Sequence, residues 1–333
     1  MAVPLGPSPI STQARRRISD LARLLRRGKS PRGLPALARH FFKNAPDTFA
    51  PAYRPKDIQA LLSSAYRVMR ETKGRTVAVS VYNPEESLHG FSSDRTIIQI
   101  SAPDGPFYVT SVRERLRSMG HAIVHLIHPI LPVRWDSRGR LAALGDVRGG
   151  PPPTRQSLIH IEIDRVDDKQ QILRITREIR ALFVDLRLVV RDFDRMRAAI
   201  EEVRRDESGA GKSKEDVRQL SEFLRWLADG NFVFLGYREY DLLPKNGRKF
   251  YSLRHGTGLG VMTRERESRF YRPVPFSRLS LMHRRGLLSR APYVILQTNR
   301  PSPVYRRERM IYIGVKKYSA KVPRPNLGEL LDS

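Results

Sequence analysis

Apolar side chains recur at intervals of three and four over Asp57–Glu71, where Ile58, Leu61, Leu62, Ala65, Val68 and Met69 share one face, and this predicts an amphipathic helix. Arg75–Tyr82 alternates and is rich in valine, which predicts a strand ended by Asn83-Pro84, and Arg95–Ser101 predicts a second. Across Asp104–Ile123 the spacing returns to helical, with Val109, Val112, Leu116 and Met119 in register and Gly120 closing the helix. Ala122–Trp135 reads as a long strand and Leu158–Asp164 as another. The Gly149–Pro153 run between them is an exposed loop. Asp167 is placed to cap a helix through Leu182, and Phe193–Arg205 is helical again. The order strand, strand, helix, strand, strand, helix predicts an α+β sandwich of ferredoxin-like type, four strands backed by helices on one face.

The pattern then repeats in kind. Asp206–Lys214 is a polar linker. Glu215–Asp229 is amphipathic, with Val217, Leu220, Phe223, Leu224 and Leu227 inward. Asn231–Asp241, Lys249–Arg254, Tyr293–Thr298 and Met310–Tyr318 predict strands. The expected organisation is a basic flexible arm with a short helix at 1–45, a first ferredoxin-like domain at 48–205, and a linker at 206–214. A second α+β domain follows at 215–318, then a tail at 319–333. The fold class is therefore α+β, two ferredoxin-like units with antiparallel or mixed sheets backed by helices.

Charge changes this picture at the ends. The net charge is +27, yet residues 1–45 carry 10 basic side chains to one acidic, residues 264–333 carry 16 to five, and the middle is nearly ordinary. Basic ends attract nucleic acid, anionic lipid and acidic proteins without sequence information, and a genome rich in arginine codons gives the same composition. Within the first arm, Arg15–Arg27 places Ile18, Leu21, Leu24 and Leu25 at helical spacing. The longest apolar run, Ile123–Val133, is interrupted by His125, His128 and Pro129, so no membrane span is expected. The chain has no cysteine, which excludes disulfides, thiolate metal sites and cysteine nucleophiles and accords with a cytoplasmic location.

Candidate chemistry is sparse. Gly209–Ser213 resembles a phosphate loop, but Asp206 stands where the first glycine is needed and a helix precedes it, so Ser213 is read as the cap of the next helix. Gly256–Gly260 lacks dinucleotide spacing and is read as a tight turn needing positive φ. His160, Glu162 and Asp164 share one face of a strand. No second cluster completes a metal shell, so a solvated sheet face is expected and no metal is assigned. His121, His125 and His128 are read as core-edge histidines, and no catalytic residues are assigned. Arg284, Arg285, Arg290, Arg300, Arg306, Arg307 and Arg309 lie near Phe270, Tyr271, Tyr293 and Tyr305, which admits a nucleic-acid or acidic-protein surface, though no nucleic-acid motif accompanies them.

The run Asp104, Pro106, Val109, Val112, Leu116, Gly120, Ile123 resembles the first strand-to-helix junction of ACT domains, the small-molecule-sensing modules of amino-acid enzymes. Six ordered segments resemble the amino-terminal region of the large bacterial NAD-specific glutamate dehydrogenases. They are GPFYVTSV (105–112), AIVHLIHPILPVR (122–134), SLIHIEIDR (157–165), FLRWLADGNFVFLGYREYDL (223–242), GTGLG (256–260) and YIGVKKY (312–318). The resemblance implies that the domains at 48–205 and 215–318 are both ACT-like, with a role in regulation and tetramer assembly and a catalytic dehydrogenase chain or a homo-oligomer as partner. No counterpart of that family's catalytic or dinucleotide-binding domain is present. The chain is therefore expected to be a truncated portion, inactive alone and without cofactor, NAD belonging to the parent family. An amino-acid effector is expected at Asp104, Gly105, Pro106, Phe107 and Tyr108, where backbone N–H groups at a helix start would hold a carboxylate.

Overall fold

The computed structural model describes residues 19–21, 31, 33–145, 152–206, 214–288, 293–304 and 308–316. The chain divides into two compact units, Met1–Phe183 and Val184–Ser333. Among the described residues no helix is long and apolar enough to cross a membrane.

In the first unit, helices α1 (Leu34–Lys43) and α2 (Pro55–Glu71) precede the sheet. Strands β1 (Ala78–Tyr82) and β2 (Arg95–Pro103) lead to α3 (Tyr108–Ser118). Then come β3 (Ile123–Ile127), β4 (Ile130–Trp135), β5 (Leu141–Leu144), β6 (Thr154–Asp164) and the start of α4 (Lys169–Asp206). The sheet runs β1-β2-β6-β4-β5, with β3 also on β6, and every pairing is antiparallel. β2-α3-β3/β4-β6-α4 is the βαββα core of a ferredoxin-like fold, and its fourth strand is β1, which enters before the core instead of after it.

The expected long strand 122–135 is interrupted where Pro129 lacks an N–H. β3 and β4 nevertheless share one register on β6, Ile127 facing His160 and Ile130 facing Ser157, and Pro129 O still accepts the Leu158 N–H at 3.1 Å.

Helices cover both faces of this sheet, not one. Ile98, Ile100, Ile159, Ile161 and Ile163 are buried, and by the alternation of the pleat they face away from α1 and α2. On that side α3 and α4 pack together, Tyr108 meeting Phe183 at 4.7 Å between ring centroids. The opposite face lies under α1 and α2. Leu34, Leu37, Phe41, Phe49, Ile58, Leu61, Leu62 and Met69 close over Ile97, Ile127, Leu131, Val133 and Leu158.

Helix α1 falls within the stretch expected to be a loose basic arm. Its apolar face, Leu34, Leu37, Phe41 and Phe42, is buried, and Leu21 joins the same core; the rest of Arg15–Arg27, apart from 19–21, lies outside the described residues. The basic composition masked this periodicity. The turn after α2 is fixed by glycine. Gly74 has φ +71, and a Cβ there would stand 2.8 Å from the Trp135 ring. Gly74→Ala is expected to destabilise the first unit by about 2 kcal/mol, read by denaturant unfolding; a loss under 0.5 kcal/mol would show that the ring yields freely.

In the second unit α4 continues unbroken to Asp206, where two separate helices were expected. Leu186, Val189 and Met196 are buried along the join, and Asp192 is neutralised by Arg191 at 2.7 Å and Arg195 at 3.3 Å. Helix α5 (Lys214–Trp226) buries Leu220 and Leu224 with Leu227 beside Ile200, Val203, Phe232, Phe234, Ile313 and Val315. The sheets are small. β7 (Gly236–Tyr237) pairs with β10 (Leu259–Gly260). β8 (Tyr240–Lys245), β9 (Arg248–Leu253) and β11 (Val274–Pro275) form a second sheet, and β12 (Tyr293–Pro301) pairs with β13 (Arg309–Val315). Helix α6 (Leu281–Leu288) lies between the last two sheets in sequence.

Asn231–Asp241, expected as one strand, is divided. Gly236 pairs with Gly260, Tyr240 pairs with Leu253, and Arg238 between them turns its guanidinium to Met262 O.

Candidate functional site

Two polar clusters stand out in the first unit. One surrounds the predicted effector segment. Asp104 follows β2 and is tied to β6 three ways. Its N–H donates to Arg155 O at 3.0 Å, Arg155 Nε donates to Oδ2 at 3.0 Å, and Ser157 Oγ donates to Oδ1 at 2.7 Å. With the Ser157 proton committed to Asp104, the 3.1 Å contact from His128 Nε2 to Ser157 Oγ is donated by the imidazole. Burial lowers the pKa of His128 and the Asp104 carboxylate partly offsets this, so the ring is neutral near pH 7.

A Cβ on Gly105 would lie 2.7 Å from Tyr108 Oη, which itself donates to Pro103 O at 3.0 Å, so a larger residue there displaces that hydroxyl. Pro106 is exposed. Phe107 precedes α3 with φ +69, a left-handed conformation that is uncommon for an aromatic residue and marks local strain. No side chain caps the helix it opens. The structure thus gathers Asp104, Gly105, Phe107 and Tyr108 around one helix start and adds His128, Arg155 and Ser157, which sequence reasoning did not assign. Their register on neighbouring strands becomes visible only once β4 and β6 are paired.

The second cluster overturns an expectation. His160 and Glu162 do not lie on a solvated face; they are 0% and 1% exposed under α1 and α2. Glu162 Oε1 accepts from Tyr53 Oη at 2.7 Å and from His160 Nε2 at 3.2 Å, and Oε2 accepts from His125 Nδ1 at 2.8 Å. His125 stands directly opposite Glu162 across the β3–β6 ladder, and its Nε2 reaches Thr48 Oγ1 at 3.2 Å. The His160 ring lies edge-on to Phe41 and Phe49.

Burial alone would raise the Glu162 pKa. The hydrogen bond and charge of His160 and the bonds from His125 and Tyr53 outweigh it and bring the carboxyl to about 2. Burial and the adjacent carboxylate drive Tyr53 the other way, far above the ordinary phenol range. The two imidazoles address different oxygens. Among the described residues no group of three His, Cys, Asp or Glu side chains is placed to hold a metal ion.

In the second unit Gly256–Gly260 forms a turn with φ +81 at Gly256 and +58 at Gly260. It leads into a short 3-10 turn, Val261–Thr263, in place of the helix that a dinucleotide site needs, so these residues do not fit NAD. Gly209–Ser213 lies outside the described residues, as do Arg290, Tyr305, Arg306 and Arg307.

Residues 37–179 match the domain family described as glutamate dehydrogenase, ACT1 domain. The chain is 28% identical over 276 residues to an NAD-specific glutamate dehydrogenase of Pseudomonas aeruginosa, covering 80% of this chain and 16% of that protein. It is 34% identical over 214 residues to that of Halomonas elongata, covering 62% and 13%. To that of Mycobacterium tuberculosis it is 27% identical over 183 residues, covering 54% and 11%. The chain therefore matches only a tenth to a sixth of the length of these relatives.

Proposed function

We propose that this chain, which resembles NAD-specific glutamate dehydrogenases and carries a match to their ACT1 domain, is a regulatory and assembly portion of such an enzyme. It acts by packing against a catalytic chain or further copies of itself and by sensing an amino acid. NAD and the redox chemistry belong to the catalytic portion. The ACT-like role rests on the first unit, and the second is its α+β companion.

The observation that carries the sensing role is the helix start at Phe107, strained and without a side-chain cap, beside the Asp104 carboxylate. An amino acid offers the two complementary charges. Its carboxylate meets the N-terminal end of α3, where N–H groups and the helix dipole favour an anion. Its ammonium meets Asp104, displacing the exposed Arg155 side chain.

Asp104→Asn keeps the size and the Ser157 bond while removing the charge. It is expected to weaken amino-acid binding by about 10-fold or more, measured by calorimetry on the folded chain against a panel beginning with glutamate. Equal affinity in wild type and variant would remove this site. The assembly role is tested by purifying the tagged chain from its own cells and assaying glutamate-dependent NADH formation beside the recombinant chain. Activity in the native preparation alone is the expected result.

A second reading, a basic module for nucleic acid or an acidic protein, is favoured by the net charge of +27. It predicts binding that falls steeply between low and physiological salt.

A further inference from the structure

The turn after β9 presents backbone donors to a carboxylate. Gly256 N–H lies 2.9 and 3.1 Å from the two oxygens of Glu265, and Gly258 N–H donates to Oε1 at 3.0 Å. Neighbouring N–H groups around a positive-φ residue form a concavity suited to an anion. Glycine is demanded at the second donor position, since a Cβ on Gly258 would stand 2.5 Å from Met262 O.

Two basic side chains stand nearby. His255 Nδ1 is 3.7 Å from Glu265 Oε2. Arg238 also acts on this carboxylate, and its Nε–H is buried with no acceptor among the described residues. The Gly256 N–H bond leads in holding the Glu265 carboxyl below its usual range, burial opposes it, and Gly258, Arg238 and His255 assist. Glu265 also lines a cavity of about 400 Å³ with Thr263, Arg264, Arg266, Glu267 and Tyr271.

We propose that the Gly256–Gly258 turn is a binding site for a small oxyanion, a carboxylate or a phosphate, and that Glu265 is a tethered occupant that keeps it closed. An incoming anion takes the two glycine N–H groups, and the Glu265 side chain swings into the adjoining cavity. The Arg238 Nε–H, left without an acceptor while Glu265 is seated, completes the donor set for an anion with more than two oxygens. A tethered competitor acts at an effective concentration in the millimolar range, so the wild-type site answers only to anions at that level. Removing the tether exposes the intrinsic affinity. The site lies in the second unit and stands or falls independently of amino-acid sensing at Asp104.

The test follows the amide resonances of Gly256 and Gly258 in the ¹⁵N-labelled full chain, titrated with inorganic phosphate and, separately, with acetate at constant ionic strength in chloride. Glu265→Ala is expected to show saturable shifts at both glycines with an apparent Kd at least 10-fold below wild type, weakened again when Arg238→Gln is added. Saturation by phosphate but not acetate identifies the ligand as a phosphate, and the reverse identifies a carboxylate. Glycine resonances unmoved by both anions in folded Glu265→Ala would overturn the proposal. Should that variant fail to fold, Glu265→Gln leaves a weaker, uncharged occupant on the turn and is expected to lower the apparent Kd below that of wild type; an apparent Kd equal to or above that of wild type would overturn the proposal.

Discussion

Glu162→Ala is expected to destabilise the first unit by about 4 kcal/mol, the range found when one partner of a buried, hydrogen-bonded charge cluster is removed. The substitution leaves Tyr53 Oη, His125 Nδ1 and His160 Nε2 without their shared acceptor inside the layer beneath α1 and α2. Water does not readily replace it, because Phe41 and Phe49 pack against the His160 ring.

The pH dependence supplies the control. The folded carboxyl titrates near 2 against an ordinary value of 4.5. A depressed carboxylate contributes stability that is fully present above 4.5 and is lost as pH falls toward 2. The difference between wild type and Glu162→Ala should therefore be constant from pH 7 to 5 and shrink between about 4.5 and 2. Urea unfolding at several pH values reads both effects. A difference below 1 kcal/mol at pH 7, or one that does not fall on acidification, would mean that the imidazoles and not the carboxylate carry the cluster.

The same cluster shows where the sequence stops being readable. Leu158–Asp164 announces a strand, and the alternation places His160 and Glu162 on a common face. Whether that face meets water depends on a helix more than a hundred residues earlier. Leu34, Leu37, Phe41 and Phe42 keep helical spacing, yet they sit in a stretch whose arginines and prolines suggest a loose arm. Without α1, the sequence leaves the polar face of β6 uncovered. The order of the core elements from β1 to α4 was legible because each carries its own period and its own stop signal. The sidedness of the sheet was not, because it is set by elements outside that core.

The predicted effector segment divides in the same way. Asp104 and the start of α3 follow from local signals. Ser157, Arg155 and His128 reach Asp104 only through the antiparallel register of β6 with β2 and β4. Arg155 and Ser157 lie 51 and 53 positions from Asp104, and His128 lies 29 from Ser157, so nothing in their own neighbourhoods announces the contact. The left-handed Phe107 is likewise a tertiary outcome, since an aromatic residue has no intrinsic preference for that conformation. The 38-residue α4, which begins in the first unit and ends in the second, is expected from the sequence as two helices, 167–182 and 193–205, with a gap at 183–192. Only the paired geometry reveals that the Asp192 charge is compensated.

Asp192 leads to the second large effect, at Gly260. The arginine bonds to Asp192, with Arg191 first, hold its carboxyl near 2 against burial, and the Gly260 N–H adds a further bond at 2.9 Å. Gly260 adopts φ +58 and ψ −137, a region essentially closed to residues with a Cβ. It also faces Gly236 across the β7–β10 pair, and a Cβ would lie 2.3 Å from Leu235 O and 3.1 Å from Gly236 Cα. Neither neighbour is the yielding end of a flexible side chain; both are backbone, and Leu235 O already accepts the Val261 N–H at 2.9 Å. Strain and clash therefore add. Gly260→Ala is expected to cost about 4 kcal/mol or more, beyond the 1–3 kcal/mol of a strained backbone alone. The loss should be confined to the second unit, so hydrogen exchange should quicken by about 100-fold or more in β8 and β9 while β2 and β6 keep their protection. Equal protection of β8 and β9 in variant and wild type would show that Gly260 shifts at little cost. Equal loss in both units would show that they unfold as one.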